Sequence, residues 1–153
     1  MESGDIGRDG KITQRKDDHI RHAMENDVQC NVPAGFDDVM LIHNSLPEVD
    51  FDEIDTRTRM FGKVMDHPFL ISAITGGSKL AGKINRELAL KADKYNIGIS
   101  VGSQRAMFVD RSLKDTYEIR KYAPDVPLFS NLGLAQVIGM KNDEVSEQMD
   151  SIG

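Results

Sequence analysis

The sequence predicts an α/β fold built on a parallel sheet. Three observations predict it. Apolar runs begin near residues 69, 97 and 126, about 29 residues apart, which is the spacing a strand plus a crossover helix requires. Each run ends in small or polar residues: Thr75-Gly76-Gly77, Gly102-Ser103 and Asn131-Leu132-Gly133. Each is followed by a segment with helical spacing of apolar residues. Three consecutive βα units suit either a doubly wound sheet or a (β/α)8 barrel, and both place ligands at the C-terminal ends of the strands.

Residues 1–14 are polar and Gly-rich without period and predict a flexible start. Residues 15–29 predict a short amphipathic helix, with Ile20, Ala23, Met24 and Val28 on one face and Asp17 and Asp18 in the first turn, where negative charge suits the helix dipole. Pro33-Ala34-Gly35 breaks it. Residues 36–43 read as extended, 44–59 as an acidic loop around Pro47, and 61–65 as a short strand. Residues 69–74 form a nearly continuous apolar run, the pattern of a buried parallel strand. Ser78 is placed to cap the next helix, whose buried stripe is Leu80, Ala81, Ile84, Leu88 and Ala92 and which ends at Asn96. A second strand over 97–101 leads to a helix over 111–122 with Leu113, Tyr117 and Ile119 as core candidates. A third strand over 126–130 precedes a helix over 143–152 carrying Val145, Met149 and Ile152. The expected organisation is a flexible start over 1–14, a leader over 15–66 and three βα units over 67–153.

Composition narrows the function classes. The chain has 153 residues, 39% of them hydrophobic and 29% charged, as in globular proteins. Aromatics are only 6%, with no Trp and 8 Met, so aliphatic residues and Met must build most of the core. A net charge of −6 argues against a nucleic-acid surface, which needs a basic face. The lone Cys30 cannot form an intramolecular disulfide and is expected to be an inert, partly buried thiol in a reducing, cytoplasmic setting. No apolar run approaches the 18 residues of a membrane span, and the N-terminus lacks an apolar signal region.

Three spots can carry chemistry. Arg15-Lys16, with His19 nearby, suits a phosphate or diphosphate, or is a solvated charge pair. Residues 72–77, Ser-Ala-Ile-Thr-Gly-Gly, can hold an anion or a flat cofactor ring, or form a plain turn that uses Gly for its geometry. Their spacing matches neither the dinucleotide nor the P-loop fingerprint. Arg105, after Gly102-Ser103-Gln104, is an anion ligand or the partner of a loop carboxylate. His19, His22, His43 and His67 show no zinc-ligand spacing, and His67 reads as structural. Asp37-Asp38 and the acidic stretch 48–55 read as a solvated loop rather than a metal site.

Taken in order, the segments Arg15-Lys16-Asp17-Asp18-His19, Gly35-Phe36-Asp37-Asp38-Val39, His43-Asn44-Ser45-Leu46-Pro47-Glu48, Ile71-Ser72-Ala73-Ile74-Thr75-Gly76-Gly77, Val101-Gly102-Ser103-Gln104-Arg105 and Ser130-Asn131-Leu132-Gly133 resemble the N-terminal part of type 2 isopentenyl diphosphate isomerase. The resemblance runs from about Arg15 to Gly153. It implies a (β/α)8 TIM barrel that binds FMN and interconverts isopentenyl and dimethylallyl diphosphate, with Mg²⁺ and with NADPH to reduce the flavin. The reaction moves a double bond by protonation at one carbon and deprotonation two carbons away. The resemblance implies that reduced flavin serves as the acid/base, while the protein orients the substrate and holds its diphosphate. It assigns Arg15, Lys16, Ser103 and Arg105 to the substrate, and Ser72, Ala73, Ile74, Thr75, Ser103 and Asn131 to FMN. The family's substrate Gln and Mg²⁺-binding Glu, its flavin-contacting Lys and its later phosphate loops fall beyond Gly153. A (β/α)8 barrel needs about 250 residues. The expectation is therefore an N-terminal piece, inactive and aggregation-prone alone, from a protein that forms a homo-oligomer when whole. Rival readings are an IMP dehydrogenase or GMP reductase, which shares the Phe-Asp-Asp-Val segment and the strand ending in Ser-Ala, and a non-catalytic α/β module that binds a phosphorylated ligand. The 2-hydroxy-acid oxidases are a weaker match.

Overall fold

The computed structural model describes the backbone of residues 8–153 and the side chains from residue 11 onward. Helix α1 spans Arg8–Glu25. The expected flexible start is thus helical from Arg8, and its first seven residues lie outside the described residues. No strong breaker stands between Lys11 and Glu25, and the last helical bond runs from the Asn26 backbone N–H to the His22 carbonyl (3.1 Å). The packed face also differs from expectation. Ala23 and Met24 are exposed and Val28 lies past the helix, whereas Ile12, Thr13, Lys16, Asp17 and Ile20 form a half-buried stripe at helical spacing. After α1, Gly35 (φ 83°) precedes a 3-10 turn at Phe36–Asp38. The segment after it forms no strand, and Val39, Met40, Leu41 and Ile42 stand exposed.

The run expected as one strand over 61–65 is half of a hairpin. Strand β1 (Thr58–Met60) pairs antiparallel with β2 (Lys63–Met65), and Phe61 (φ 48°) and Gly62 (φ 79°) make the turn. Positive φ at both central residues matches the twist of the flanking strands. The hairpin covers the N-terminal end of the main sheet. Met65 is buried, Asp66 N–H donates to the Asn96 carbonyl (3.1 Å), and His67 Nδ1 shares a hydrogen bond with the Thr56 hydroxyl (2.9 Å).

The three apolar runs supply a parallel sheet in the order β3 (Leu70–Ile71), β4 (Gly98–Ser100), β5 (Leu128–Phe129). Leu70 faces Gly98, and Ile99 faces both Ile71 and Leu128. The strands are shorter than the runs that announced them. Residues 72–74 leave the ladder, and contact resumes only where Gly102 N–H donates to the Thr75 carbonyl (3.0 Å). Helix α2 (Lys79–Lys94) returns the chain from β3 to β4, capped by Ser78 as expected and ended by Asn96 in the left-handed region (φ 45°). Its buried stripe is Ala81, Asn85, Ala89 and Ala92, with Leu80 exposed and Ile84 and Leu88 only half-buried. Small residues let this helix lie close to the sheet, which pushes the bulky ones to the flanks.

The single helix expected over 111–122 is replaced by a short α3 (Arg105–Val109) and 3-10 turns at Arg111–Thr116 and Arg120–Tyr122. Two local facts disfavour an α-helix there. The Asp110 carboxylate takes the Ser112 N–H, and Tyr117 and Ile119, two residues apart, are both buried and could not share one α-helical face. After β5, a short α4 (Leu134–Val137) that apolar spacing did not announce precedes α5 (Asn142–Asp150). Val145 is half-buried and Met149 exposed, while Ile152 is buried just beyond the helix. The core joins Ala89 and Ala92 of α2 to Ile99, Val101, Met107, Tyr117, Ile119, Ala123, Val126 and Ile152.

Candidate functional site

The C-terminal ends of β3, β4 and β5 lie side by side, tied by polar groups far apart in sequence. Gly102 donates to the Thr75 carbonyl, and a Cβ at Gly102 would sit 2.4 Å from that same group, so only glycine permits the approach. Asn85, buried in α2, donates to the Thr75 carbonyl (3.1 Å) and to the Thr116 carbonyl (2.9 Å). Gly77 N–H donates to the Thr116 hydroxyl (2.9 Å). The Gly76-Gly77 pair lies under the Tyr117 ring, where a Cβ on Gly76 would fall 2.0 Å from a ring carbon. The Tyr117 hydroxyl donates to the Ser103 carbonyl (2.9 Å), and burial pushes its pKa well above the ordinary 10.0.

Gln104 joins the second strand end to the third. It is fully buried, its side-chain oxygen accepts from the Ser130 hydroxyl and from Asn131 N–H (3.0 Å), and its own backbone N–H donates to the Asn131 carbonyl (3.0 Å). Its amide nitrogen reaches the Gln148 carbonyl (3.5 Å) at the foot of α5. With these ties made, Ser72, Ala73 and Ile74 are exposed or half-exposed at the end of β3, Ser103 and Asn131 are half-buried beside them, Thr75 is buried, and Arg105 is exposed at the first turn of α3.

The predicted cationic pair reaches this end of the molecule through α1, which packs against α2 and α3. Lys16 is half-buried, and burial, followed by the charge of Arg15, lowers its pKa. Arg15 is exposed. Among the described residues none of Arg15, Lys16 and Arg105 forms an ion pair, whereas Arg21 pairs with Asp18 (2.5 Å) and Arg57 with Asp55 (2.8 Å). Asp17, next to the cationic pair, turns inward and accepts a hydrogen bond from the Ser78 hydroxyl at the start of α2.

The structure thus gathers Ser72 to Thr75, Ser103, Arg105 and Asn131 at one end of one sheet, with the helix carrying Arg15 and Lys16 packed on the helices that leave it. Sequence reasoning missed Gln104, Asn85 and the Asp17–Ser78 contact, whose partners lie 10 to 61 residues away. Buried polar residues in apolar surroundings were the available signal, but their partners could not be read from spacing. Cys30, expected to be partly buried, is exposed. A separate cleft of about 290 Å³, lined by Met107, Arg111, Lys114 and Gln148 among others, opens between α3 and α5. Among the described residues no three His, Cys, Asp or Glu gather as a metal site, and no helix is long and apolar enough to cross a membrane.

No family model matches the chain. Curated proteins do. A protein of Pyrococcus horikoshii named isopentenyl-diphosphate delta-isomerase is 45% identical over 125 residues, 80% of this chain and 34% of that protein. One of Pyrobaculum aerophilum with the same name is 47% identical over 137 residues, 89% of this chain and 39% of the relative. One of Paracoccus zeaxanthinifaciens is 42% identical over 139 residues, 88% of this chain and 40% of the relative. The chain is similar to isopentenyl-diphosphate delta-isomerases. It spans 34–40% of the length of these relatives. The similarity extends over most of the chain, so it takes in both the leader and the strand ends.

Proposed function

We propose that this chain is part of a type 2 isopentenyl diphosphate isomerase, contributing part of the grip on the diphosphate and one wall of a flavin site in a (β/α)8 barrel. The observation that carries the reading is the meeting of three strand ends bearing Ser72 to Thr75, Ser103 and Asn131 with Arg105, beside a helix presenting Arg15 and Lys16. The sequential parallel order β3-β4-β5, with a connection of helical turns after each of the first two strands, supports the barrel. The relatives' names support isomerisation in isoprenoid biosynthesis over the dehydrogenase and binding-module readings.

The donor set at the strand ends fits a flat, hydrogen-bonding ring. Hydroxyls at Ser72 and Ser103 and the amide at Asn131 offer donors and acceptors, and Ala73 and Ile74 offer apolar surface. FMN bound there, reduced at the expense of NADPH, would supply acid/base chemistry at the allylic carbons, with Mg²⁺ completing the cofactor set. The chain's own work is to bind and orient. Arg15, Lys16 and Arg105 are free to meet a diphosphate with charge-assisted hydrogen bonds. A diphosphate beside Lys16 favours the charged amine and so offsets the cost of its burial. Gln104 fixes Asn131, and Tyr117 engages the Ser103 carbonyl so that the Ser103 hydroxyl is left for ligand.

Nuclear magnetic resonance titration with isopentenyl diphosphate tests the reading. Shifts should concentrate at Arg15, Lys16, Ser103 and Arg105, and Arg15→Ala or Arg105→Ala should weaken binding about tenfold, roughly the 1.4 kcal/mol expected for one charge-assisted contact. Shifts confined to other surfaces would overturn it. Supplied with FMN, NADPH, Mg²⁺ and isopentenyl diphosphate, the 153-residue chain alone should show no turnover.

A further inference from the structure

Helix α1 carries the proposed diphosphate-binding cations, yet among its described side chains Ile12 and Ile20 are only half-buried and those from Arg21 to Glu25 are all exposed. What holds it is partly polar. Ser78 is fully buried and uses its hydroxyl twice, accepting from Ala81 N–H (3.1 Å) as the cap of α2 and donating to the Asp17 carboxylate across 61 residues of sequence. Asp17 therefore sits at the N-terminus of a 16-residue helix, where the backbone dipoles favour a negative charge. The adjacent Asp18 pairs instead with Arg21 on the outer side of the same helix, so two neighbouring carboxylates are committed to different partners.

We propose that Asp17 is a positioning residue that pins α1 to the first β-to-α turn and thereby sets where Arg15 and Lys16 present their charges. The proposal rests on the diphosphate reading above. Successive residues on a helix point about 100° apart, so holding residue 17 inward fixes the directions of residues 15 and 16. Without the pin, the helix can slide or rotate about its weak apolar contact, and the cations lose their shared geometry with Arg105.

The sign of the effect separates this role from simple electrostatics. A carboxylate beside two cations opposes anion binding, so on Coulomb grounds alone its removal strengthens binding. Positioning demands the reverse. The experiment uses the 153-residue chain with Asp17→Ala, Asp17→Asn and Arg15→Ala, reading hydrogen exchange along α1 and titration with inorganic diphosphate, with circular dichroism to confirm that α2 and the sheet stay folded. Asp17→Ala should lose exchange protection in α1 at least tenfold and weaken diphosphate at least tenfold. Asp17→Asn, which still accepts from Ser78 while lacking the charge, should keep most of the protection and bind diphosphate as well as the unsubstituted chain or better. Unchanged protection or unchanged affinity in Asp17→Ala overturns the proposal. If Arg15→Ala leaves affinity unchanged, or the unsubstituted chain does not bind diphosphate, the diphosphate reading fails and the positioning role with it. The exchange data then still report whether the pin exists.

Discussion

Tyr117 shows how one buried hydroxyl serves both the core and the site. Its ring packs over Gly76 and Gly77, and its hydroxyl holds the Ser103 carbonyl. Burial raises its pKa above the ordinary 10.0, so its contribution to stability is complete below pH 10.0 and is lost as the pH rises beyond it. Alkaline unfolding should therefore begin earlier than the Tyr117→Phe variant allows, and a difference ultraviolet titration between the two chains should place the phenol's ionisation above pH 10.0. An ordinary titration at that pH would contradict this. Gln104 makes a second prediction. Gln104→Leu leaves the Ser130 hydroxyl and Asn131 N–H without their acceptor, and a penalty of about 1–3 kcal/mol for each group left unpaired should appear in urea denaturation. Equal midpoints would show that water replaces the amide without loss. Neither role was legible from the string alone. Tyr117 was recognised as core, and Gln104 lay within a motif, but hydrogen-bond partners 14 and 27 residues away leave no periodic trace.

Among the elements, legibility followed how local the determining forces are. Helix α2 was readable because its cap at Ser78 and its stop at Asn96 are set by neighbouring residues. Its buried face was read correctly at Ala81 and Ala92 but not at Leu80, Ile84 and Leu88, because hydrophobicity favours the bulky residues whereas Asn85 and Ala89 are the ones that complete the buried stripe. The 3-10 turns after α3 were missed because Asp110 and Thr116 divert backbone and hydroxyl groups to partners that a helical-spacing argument ignores. The strand ends themselves were predicted from the small residues that close each apolar run, and Gly102 explains why this works. Gly102→Ala puts a methyl carbon 2.4 Å from the Thr75 carbonyl carbon and must spread the ends of β3 and β4. Its melting temperature should fall by more than that of an exposed control such as Gly139→Ala, since a Cβ at Gly139 meets nothing within 4 Å even though its positive φ adds backbone strain. A Gly102→Ala chain as stable as Gly139→Ala would remove the close approach from the argument.

At the scale of the whole molecule, apolar side chains are distributed unevenly. Val39, Met40, Leu41 and Ile42 are 62%, 90%, 87% and 99% exposed, and β3 and β5 each have one unpaired edge in the described sheet. Contiguous apolar surface and open edges favour self-association. Sedimentation should therefore show mass rising with concentration, and replacing Leu41 and Ile42 together by Asn should shift the distribution toward monomer without lowering the melting temperature. A chain that stays monomeric and melts in one sharp transition would contradict this. The α/β class was readable because three runs repeat, whereas the fate of residues 36–43 was not, because an apolar run predicts burial without naming the surface that supplies it.

One oxygen atom at the heart of the site carries a further consequence. The Thr75 carbonyl accepts from both Gly102, just after β4, and Asn85 of α2, so its C=O bond is polarised by two donors from different parts of the fold. An isotope label on that single carbonyl makes it a vibrational reporter. Its stretching band should lie low while strand and helix both hold it, and should rise when either one moves away.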